Sequence, residues 1–458
     1  MAGGENGVHI LVFPYPAQGH MLPLLDLSHQ LSLRGLSITI LITPKNLPIL
    51  KPLLSANPSI QTLVFPFPKY PSIPPGVENI KDLGNKGNIP MMLALTQLQD
   101  PIIQWYRSHS NPPVALLSDF FLGWTHHLAN HLSIPRIVFY CSGAFAVNVF
   151  DHLWTNPEAV KPGGEVKFQD LPGSPSFTWE QLPSLFRQYM ESNPNTDLDS
   201  IKTSMAANCL SWASVFNTFD ALEHEFLDYL NNKTGHPRVY SVGPIDMVVG
   251  SDKLRAGHDN AHADTALMSW LDKCEDGSVL YVCFGSQKIL NKTQTEALAN
   301  GLETSGAPFV WIVNDHGSVP NRVSKRGFVV NGWAPQRAIL GHRAVGGFLS
   351  HCGWNSVLEA VGSGAVILGW PMEAEQFVNA RLLVERKGAA VLVAEGGDSV
   401  PDSAELARKI AESMRGDAVE RVRAKELRDE AWEAVKVGGS SDRDLDRLVQ
   451  ELAQLKSQ

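Results

Sequence analysis

The chain has 458 residues, of which 44% are hydrophobic and 19% are charged. This length and balance indicate a globular protein of two or three domains and exclude a disordered chain. The formal net charge of −9 argues against a nucleic-acid partner, because general nucleic-acid binders are usually basic. The five cysteines form no CxxC pair, which is typical of a reduced compartment rather than of a disulfide scaffold.

The start of the chain, MAGGENG, has neither the basic segment nor the apolar core of a secretory signal. No apolar run reaches the length of a transmembrane helix. We therefore expect a cytoplasmic protein without membrane insertion, and we expect a monomer.

The first half of the chain alternates short β-branched runs with helical segments. After VHILVFPY a helix is predicted from about Met21 to Arg34, and another in the nineties and hundreds. Further strands are predicted at ITILIT (38–43), TLVFPF (62–67), VALLSDF (114–120), RIVFY (136–140), SVFNTF (214–219) and VYSVGPI (239–245). Residues 151–210 are rich in Pro, Gly and Ser and predict loops and short helices. Nearly continuous apolar strands separated by helices indicate a parallel sheet covered on both faces.

A polar stretch at 250–264 interrupts this pattern and is interpreted as a linker. The alternation then starts afresh, with strands predicted at SVLYVCFGS (278–286), FVWIVN (309–314), FVVNGW (328–333), VGGFLS (345–350), AVILGW (365–370) and AAVLV (389–393). From about Asp402 the chain is helical and charged. The sequence thus predicts an α/β protein with two doubly wound parallel sheets.

Polar side chains follow four of these strands. His20 and Asp119 do so in the first half, and Ser286 and His351 in the second. Ligands in open α/β sheets bind at the carboxyl ends of the strands, so the four would share one cleft if the halves face each other. Position alone also allows His20 to be a hydrogen-bonded turn residue and Asp119 to be a helix cap.

The run HCGWNSVLEAVGSG (351–364) has the composition of a helix start that binds an anion. Gly353, Asn355 and Ser356 stand where the helix should begin, and a helix N-terminus suits phosphate. Glu359 follows one turn later on roughly the same face, as an acceptor for sugar hydroxyls or as a solvated charge. An ordinary Asn/Ser cap is the alternative.

Several other classes of site lack their motif. There is no GxGxxG after a strand and no GxxxxGK[ST], which argues against a dinucleotide dehydrogenase and a P-loop enzyme. His127 and His131 have the spacing of two metal ligands on one helix, but no third ligand completes the set. We expect no bound metal.

The stretch from Trp333 to Gln376, with WAPQ, HCGWNS and a final EQ, closely resembles the plant secondary-product glycosyltransferase signature. PxxGHxxP, SDFF, YSVGPI and YVCFGS resemble further positions of this family of UDP-sugar glycosyltransferases. The resemblance implies the GT-B fold, in which two Rossmann-like domains face each other. It implies an acceptor-binding domain at 1–249, the linker at 250–264, a UDP-sugar-binding domain at 265–437, and a helix at 438–458 that crosses back to the first domain.

The resemblance also implies the chemistry. His20 matches the general base that deprotonates an acceptor hydroxyl, and Asp119 matches the residue that orients this histidine. The sugar would be transferred in one displacement with inversion. The UDP-sugar is a co-substrate, and neither a cofactor nor a metal is expected.

The donor contacts follow from the same resemblance. It assigns uracil stacking to Trp333, with Ala334 as its backbone partner, although a core role for the indole is the alternative. Gln376 favours UDP-glucose, and UDP-rhamnose or UDP-xylose is the alternative. The remaining expected contacts are Gln336 and Glu359 with the ribose, Ser286, His351, Gly353, Asn355 and Ser356 with the phosphates, and Trp354, Glu375 and Gln376 with the sugar.

The acceptor is expected to be a flavonoid or a simple phenolic. Its candidate pocket is aromatic, although each residue also fits an ordinary core: Phe120, Phe121, Trp124, Phe145, Phe186 and Tyr189. Transfer to carbon instead of oxygen is an alternative. A non-catalytic nucleotide-sugar binder is a further one, against which the intact His20 and Asp119 argue.

Overall fold

The structure is a computed structural model that describes residues 7–192, 196–235, 237–248, 261–285, 288–313, 319–320 and 326–456. The chain divides into two compact units. The first spans Met1–Trp179, Leu185–Arg255 and Ala434–Gln458, and the second spans Glu180–Ser184 and Ala256–Glu433.

The first unit is built on a seven-stranded sheet in which all neighbouring strands are parallel. The strands of this unit are β1 (His9–Phe13), β2 (Ser37–Ile42), β3 (Gln61–Val64), β4 (Ala115–Asp119), β5 (Arg136–Tyr140), β6 (Glu165–Lys167), β7 (Ser176–Thr178), β8 (Ala213–Phe216) and β9 (Val239–Ser241). The sheet order is β3-β2-β1-β4-β5-β8-β9, and β6 and β7 form a separate antiparallel hairpin.

Helices connect these strands. They are α1 (Gln18–Leu33), α2 (Lys51–Ala56), α3 (Asn88–Thr96), α4 (Gln99–Ser108), α5 (Thr125–Leu132), α6 (Ala144–Thr155), α7 (Ser184–Glu191), α8 (Thr196–Ala206), α9 (Asp220–Thr234) and α10 (Ile245–Val248). Short 3₁₀ helices lie at Leu47–Leu50, Ile80–Asp82, Asn85–Gly87, Phe120–Leu122, Pro157–Ala159, Trp179–Gln181 and Ala207–Leu210. Every residue of β1, β4 and β5 is buried, which confirms the prediction of a sheet covered on both faces.

The second unit repeats the plan with a six-stranded parallel sheet of order β12-β11-β10-β13-β14-β15. Its strands are β10 (Val279–Cys283), β11 (Phe309–Val313), β12 (Gly327–Asn331), β13 (Val345–Ser350), β14 (Val366–Gly369) and β15 (Ala390–Leu392). Its helices are α11 (Ala261–Leu271), α12 (Lys292–Ser305), α13 (Gln336–Leu340), α14 (Trp354–Ser363), α15 (Gln376–Arg381), a π-helical segment (Leu382–Lys387), α16 (Ser403–Ser413) and α17 (Val419–Val435).

The last helix, α18 (Ser440–Leu455), packs on the first unit. The amide of Ser241, at the end of β9, donates to Asp444 Oδ2 at 2.7 Å, and Arg238 Nε lies 3.0 Å from Glu451 Oε2. Leu445, Leu448 and Leu452 on the apolar face are fully buried. Apolar packing therefore attaches this helix, and its ion pairs fix its register.

Several predicted elements have different bounds in the structure. The segment in the nineties and hundreds is two helices, broken after Thr96, and residues 151–210 contain the hairpin of β6 and β7 in addition to the predicted short helices. The strand predicted to reach residue 219 ends at Phe216, and the one predicted to reach 245 ends at Ser241 before a cis Gly243–Pro244 bond. Of the predicted linker, residues 250–260 lie outside the described residues, and α11 begins at Ala261. None of the helices in the described ranges is both long enough and apolar enough to cross a membrane.

Candidate active site

His20 lies in the first turn of α1, at the carboxyl end of β1. The carbonyl of Ala17 accepts hydrogen bonds from the amides of His20 at 3.0 Å and Met21 at 2.8 Å, which starts the helix. In the sheet β1 is the neighbour of β4, with Phe13 opposite Ser118. The turn that carries His20 and the last residue of β4 therefore emerge at the same edge of the sheet.

That last residue is Asp119, and it bonds His20. His20 Nδ1 lies 3.0 Å from Oδ2 and 3.1 Å from Oδ1 of the carboxylate. Oδ1 also accepts from the amide of Phe121 at 2.8 Å, which caps the 3₁₀ helix Phe120–Leu122. Asp119 thus fills both roles that its position in the sequence allows, as a helix cap and as the partner of His20.

The hydrogen-bond partner of Nδ1 determines which ring nitrogen of His20 carries the hydrogen. An ionised carboxylate only accepts hydrogen bonds, so Nδ1 carries the hydrogen and Nε2 carries the lone pair. In the part of the chain that the structure describes, no group hydrogen-bonds Nε2. The His20 side chain keeps 19% of its surface exposed while that of Asp119 is fully buried. This arrangement is that of a base whose Nδ1 is held by a buried carboxylate on a partly exposed ring.

Aromatic rings surround the imidazole. Phe120 stacks on it with the ring planes 13° apart and the centroids at 5.4 Å, and Phe121 approaches to 4.5 Å. Tyr15, which sequence reasoning missed, packs at 5.3 Å and donates its hydroxyl to Asn88 Oδ1 at 2.8 Å. Burial raises the pKa of Tyr15 well above its ordinary value, so this phenol is neutral and does not compete as a base.

The structure thus brings Phe120 and Phe121, of the six predicted acceptor-binding aromatics, against His20. The other four pack on other rings of the first unit. Trp124 lies edge-on to Phe13, Phe145 stacks on Phe226, and Phe186 and Tyr189 both pack on Trp154.

One cluster near the pair has the composition of a metal site. Ligand atoms of His20, Asp119 and Cys141 lie within 4.8 Å of one another. The hydrogen bond between His20 and Asp119 already occupies Nδ1 and the carboxylate, so an ion at those atoms would displace the bond that orients the ring. The absence of a functional metal stays a prediction.

In the second unit, His351 follows β13 at the start of α14. Its Nδ1 is buried and has no partner in the described residues, and burial lowers the pKa of the ring to about 4. The imidazole is therefore neutral at physiological pH. Helix α14 begins at Trp354 with Gly353 as its N-cap, and no side chain fills the cap. The N-terminus of a helix presents backbone amides and a partial positive charge, which suit an anion.

Two glycines leave space for the imidazole ring of His351. A Cβ on Gly285, where φ is +76°, would lie 3.0 Å from the His351 Nε2, and a Cβ on Gly353 would lie 2.6 Å from it. Any larger residue would displace the imidazole. The conformation of the neighbouring Cys352 is strained, with φ at +64°, and Asn379 holds its carbonyl at 3.0 Å. Asn379 was not predicted, because nothing in its sequence context marks it.

A second polar cluster gathers around Gln336. Its Nε2 donates to Glu359 Oε2 at 2.6 Å and to Ser356 Oγ at 3.2 Å. The buried hydroxyl of Tyr281, on β10, donates to Gln336 Oε1 at 3.2 Å. Three residues expected to contact the donor are thus brought together. Tyr281 was not predicted from the sequence, since its local context is that of an ordinary strand residue.

The end of the signature forms a tight loop. Gln376 Oε1 accepts from the amides of Met372 at 2.9 Å and Glu373 at 3.0 Å, so only its NH₂ group is left for a ligand. Glu375 is half-buried at the N-cap of α15. Of the other predicted donor contacts, Trp333 and Asn355 are half-buried, Ala334 and Trp354 are buried, and Ser286 lies outside the described residues.

The two doubly wound parallel-sheet units place the chain in the GT-B class of glycosyltransferases. Two family models match it, "Glycosyltransferase, N-terminal domain" at residues 6–247 and "UDP-glucoronosyl and UDP-glucosyl transferase" at residues 255–412. The chain belongs to plant family 1 of the UDP-glycosyltransferases, and it is an enzyme of that type.

The similarity to known proteins extends over the whole chain. UDP-glycosyltransferase 89A2 of Arabidopsis thaliana is 53% identical over 97% of this chain and 95% of its own length. Flavonol 3-O-glucosyltransferase UGT89B1 of the same plant is 46% identical over 98% and 96%. The crystal structure of Arabidopsis thaliana UGT89C1 complexed with UDP-L-rhamnose has a TM-score of 0.81 and 38% identity, covering 98% of this chain and 99% of that one. The same protein has also been solved with quercetin.

Proposed function

We propose that this enzyme transfers glucose from UDP-glucose to a hydroxyl of a flavonoid or simple phenolic, with inversion at the anomeric carbon. The observation that supports this most is the bond between His20 Nδ1 and Asp119, which leaves the lone pair on Nε2 of a partly exposed ring. A base held in that tautomer is what a neutral hydroxyl nucleophile requires.

In the proposed reaction the acceptor oxygen attacks the anomeric carbon while its proton moves to Nε2 of His20. The bond between that carbon and the β-phosphate oxygen breaks, and UDP leaves with the electron pair. Asp119 stabilises the imidazolium that forms. Attack opposite the leaving group gives a β-glycoside from an α-linked donor.

We assign donor binding to the second unit. The N-terminus of α14 and the neutral ring of His351 supply N–H donors for the diphosphate, and their dipoles offset the charge that develops on it. Gln336 and Glu359 suit the ribose hydroxyls. This set of donors carries the proposed stabilisation, so no step is assigned to a metal or a cofactor.

Glu359→Ala should weaken UDP binding about 10- to 100-fold, because a charged acceptor for a ribose hydroxyl is lost and the amide of Gln336 loses the nearer of its two partners. Calorimetric titration with UDP measures this. Glu385→Ala is the matched control in the same unit, since Glu385 only pairs with Arg381 on the surface. Equal affinity in the Glu359 variant and the wild type would remove Glu359 from the ribose site.

One other sugar is a specific candidate for the donor. UGT89B1 is named a flavonol 3-O-glucosyltransferase, whereas UGT89C1 was crystallised with UDP-L-rhamnose and with quercetin. The name of the first protein and the quercetin complex of the second support a flavonol acceptor. Gln376 presents only its NH₂ group to a ligand and supports glucose by resemblance. Rhamnose transfer is therefore the second candidate. A cytoplasmic location and a monomeric state belong to the proposal as well.

The proposal is tested by incubating the protein with quercetin and, separately, UDP-glucose, UDP-rhamnose and UDP-xylose, with products identified by mass spectrometry. We expect the UDP-glucose reaction to have the highest kcat/KM and to proceed in excess EDTA. A higher kcat/KM with UDP-rhamnose would replace the sugar assignment. Loss of turnover in EDTA that added metal restores would contradict the metal-free reaction.

A further inference from the structure

A buried thiol lies beside the proposed base and has no part in the proposed reaction. Cys141 directly follows β5, and the sheet order β1-β4-β5 places the carboxyl ends of three neighbouring parallel strands side by side. His20 comes after the first of these strands, Asp119 ends the second, and Cys141 follows the third. Ligand atoms of the three side chains lie within 4.8 Å of one another for this reason.

The three ligand types select one class of ion. Imidazole nitrogen, carboxylate oxygen and thiolate sulfur all bind Zn²⁺, whereas Mg²⁺ and Ca²⁺ are bound by oxygen ligands. A carboxylate and a thiolate together offset the two positive charges of the ion, and the histidine adds a neutral ligand. Three protein ligands with a water in the fourth position are a known coordination of Zn²⁺ in proteins. The donor set of this cluster is therefore that of a zinc site.

The distances in the cluster are close to those that such an ion requires. Tetrahedral bonds of about 2.0 to 2.3 Å place the ligand atoms roughly 3.5 Å apart. Asp119 Oδ2 lies 3.0 Å from His20 Nδ1, and the thiol of Cys141 lies within 4.8 Å of both groups. Side-chain movements of about 1 Å, similar to ordinary thermal displacements, would form the coordination shell. The imidazole, with 19% of its side chain exposed, is the solvent-accessible member of the cluster, since Asp119 and Cys141 are buried.

Occupation of the cluster would remove the proposed base, whichever ring nitrogen binds the ion. Coordination by Nε2 of His20 uses the lone pair that would take the acceptor proton. Coordination by Nδ1 displaces its hydrogen bond with Asp119 and moves the ring hydrogen to Nε2, which then has no lone pair. Binding also releases one proton to solvent, because the thiol of Cys141 becomes a thiolate when its sulfur bonds the ion.

We propose that His20, Asp119 and Cys141 form a site for Zn²⁺ or a similar thiophilic ion, and that occupation of this site inhibits the enzyme. The ion opposes the reaction instead of taking part in it, in agreement with our expectation that turnover requires no metal. Binding of the ion depends on the three side chains alone, whereas the inhibition also rests on the proposed function of His20.

Inhibition is measured with UDP-glucose and a simple monophenol, an acceptor that does not chelate metal ions, in buffer free of thiols. Micromolar Zn²⁺ should reduce kcat at least about tenfold, excess EDTA should restore it, and Mg²⁺ at the same concentration should have no effect. These outcomes follow because only the thiophilic ion matches the donor set of the cluster.

Cys141→Ser tests the thiol. The Zn²⁺ concentration for half-inhibition should rise at least about tenfold in this variant, because a neutral hydroxyl replaces a thiolate ligand. Turnover without Zn²⁺ should equal that of the wild type, since the thiol takes no part in the proposed reaction. Cys209→Ser is the matched control in the same unit, because the thiol of Cys209 bonds the carbonyl of Ala206 instead, and its half-inhibition should be that of the wild type.

Binding is measured independently of turnover with Co²⁺, which replaces Zn²⁺ in such sites and gives a near-ultraviolet charge-transfer band when a thiolate binds it. The wild type and Cys209→Ser should develop this band on titration, and Cys141→Ser should not. In His20→Ala the affinity for Co²⁺ should fall at least about tenfold, because one of three protein ligands is lost.

Equal half-inhibition in Cys141→Ser and the wild type, or a cobalt band that Cys141→Ser retains, would overturn the inference. Circular dichroism shows whether the serine variant is folded. If it is not, His20→Ala decides, since wild-type affinity for Co²⁺ in that variant contradicts the site and weakened affinity supports it. A band that requires Cys141, combined with undiminished turnover of the Zn²⁺-loaded enzyme, would support the site and refute His20 as the base.

Discussion

Replacement of His20 by alanine is expected to reduce kcat for O-glycosylation by about 10²- to 10⁴-fold, the usual contribution of a positioned general base. The substitution removes the lone pair on Nε2 that would take the acceptor proton. The hydroxyl must then lose its proton to water, which is a poor base at neutral pH. The loss should be greatest for weakly acidic alcohols and smaller for acidic phenols, which ionise more readily without help.

Donor binding in this variant should survive, because the residues assigned to UDP lie in the second unit. Calorimetric titration with UDP checks this alongside the steady-state kinetics. His29→Ala is the matched control, since His29 lies on the same helix and bonds Asn57, the C-cap residue of α2, rather than a carboxylate. Turnover by the His20 variant at the rate of the His29 variant would refute the base assignment.

Asp119→Asn is expected to reduce kcat by a similar factor, about 10²- to 10⁴-fold, through the tautomer of His20. The amide can keep one oxygen toward the amide of Phe121, which preserves the helix cap. Its NH₂ group must then face His20 Nδ1, where it donates instead of accepting. The hydrogen of the imidazole moves to Nε2, and the lone pair that the reaction needs is lost.

Comparison of Asp119→Ala with Asp119→Asn separates the effect on the tautomer of His20 from the effect on the helix cap. It removes both the acceptor for Nδ1 and the cap, which should cost about 1 kcal/mol of stability in addition to activity. Thermal unfolding followed by circular dichroism shows whether each variant is folded at the assay temperature. A folded Asp119→Asn variant with wild-type kcat would exclude the proposed orientation of His20 by the carboxylate.

Local patterning was enough to predict much of the fold. The apolar runs of β1, β4, β5 and β13 are nearly continuous. A strand that is buried on both faces has this sequence pattern, because neither face needs polar side chains. The predicted ends of the strands were less accurate where a turn follows. The strand after Arg238 ends at Ser241, and the amides of Val242 and Gly243 still bond the carbonyls of Phe216 and Thr218 before Pro244, which has no N–H to donate.

The candidate site was predictable to the extent that its residues follow strands or belong to a signature. His20, Asp119 and His351 each come directly after an apolar run, and Gln336, Ser356 and Glu359 stand in the stretch that resembles the family. Tyr281 has no such feature, because a strand residue buried for a polar contact has the same local sequence context as one buried for packing.

The sequence by itself determined the two parallel sheets, the residues at their carboxyl edges and the class of enzyme, since hydrophobic period and motif spacing are local properties of the chain. Only the tertiary structure decided which of those residues meet. His20 and Asp119 are 99 positions apart and bond because β1 lies next to β4, an order set by how the connecting helices cross the sheet. Strand neighbours are set by packing of the whole unit rather than by any short stretch of sequence.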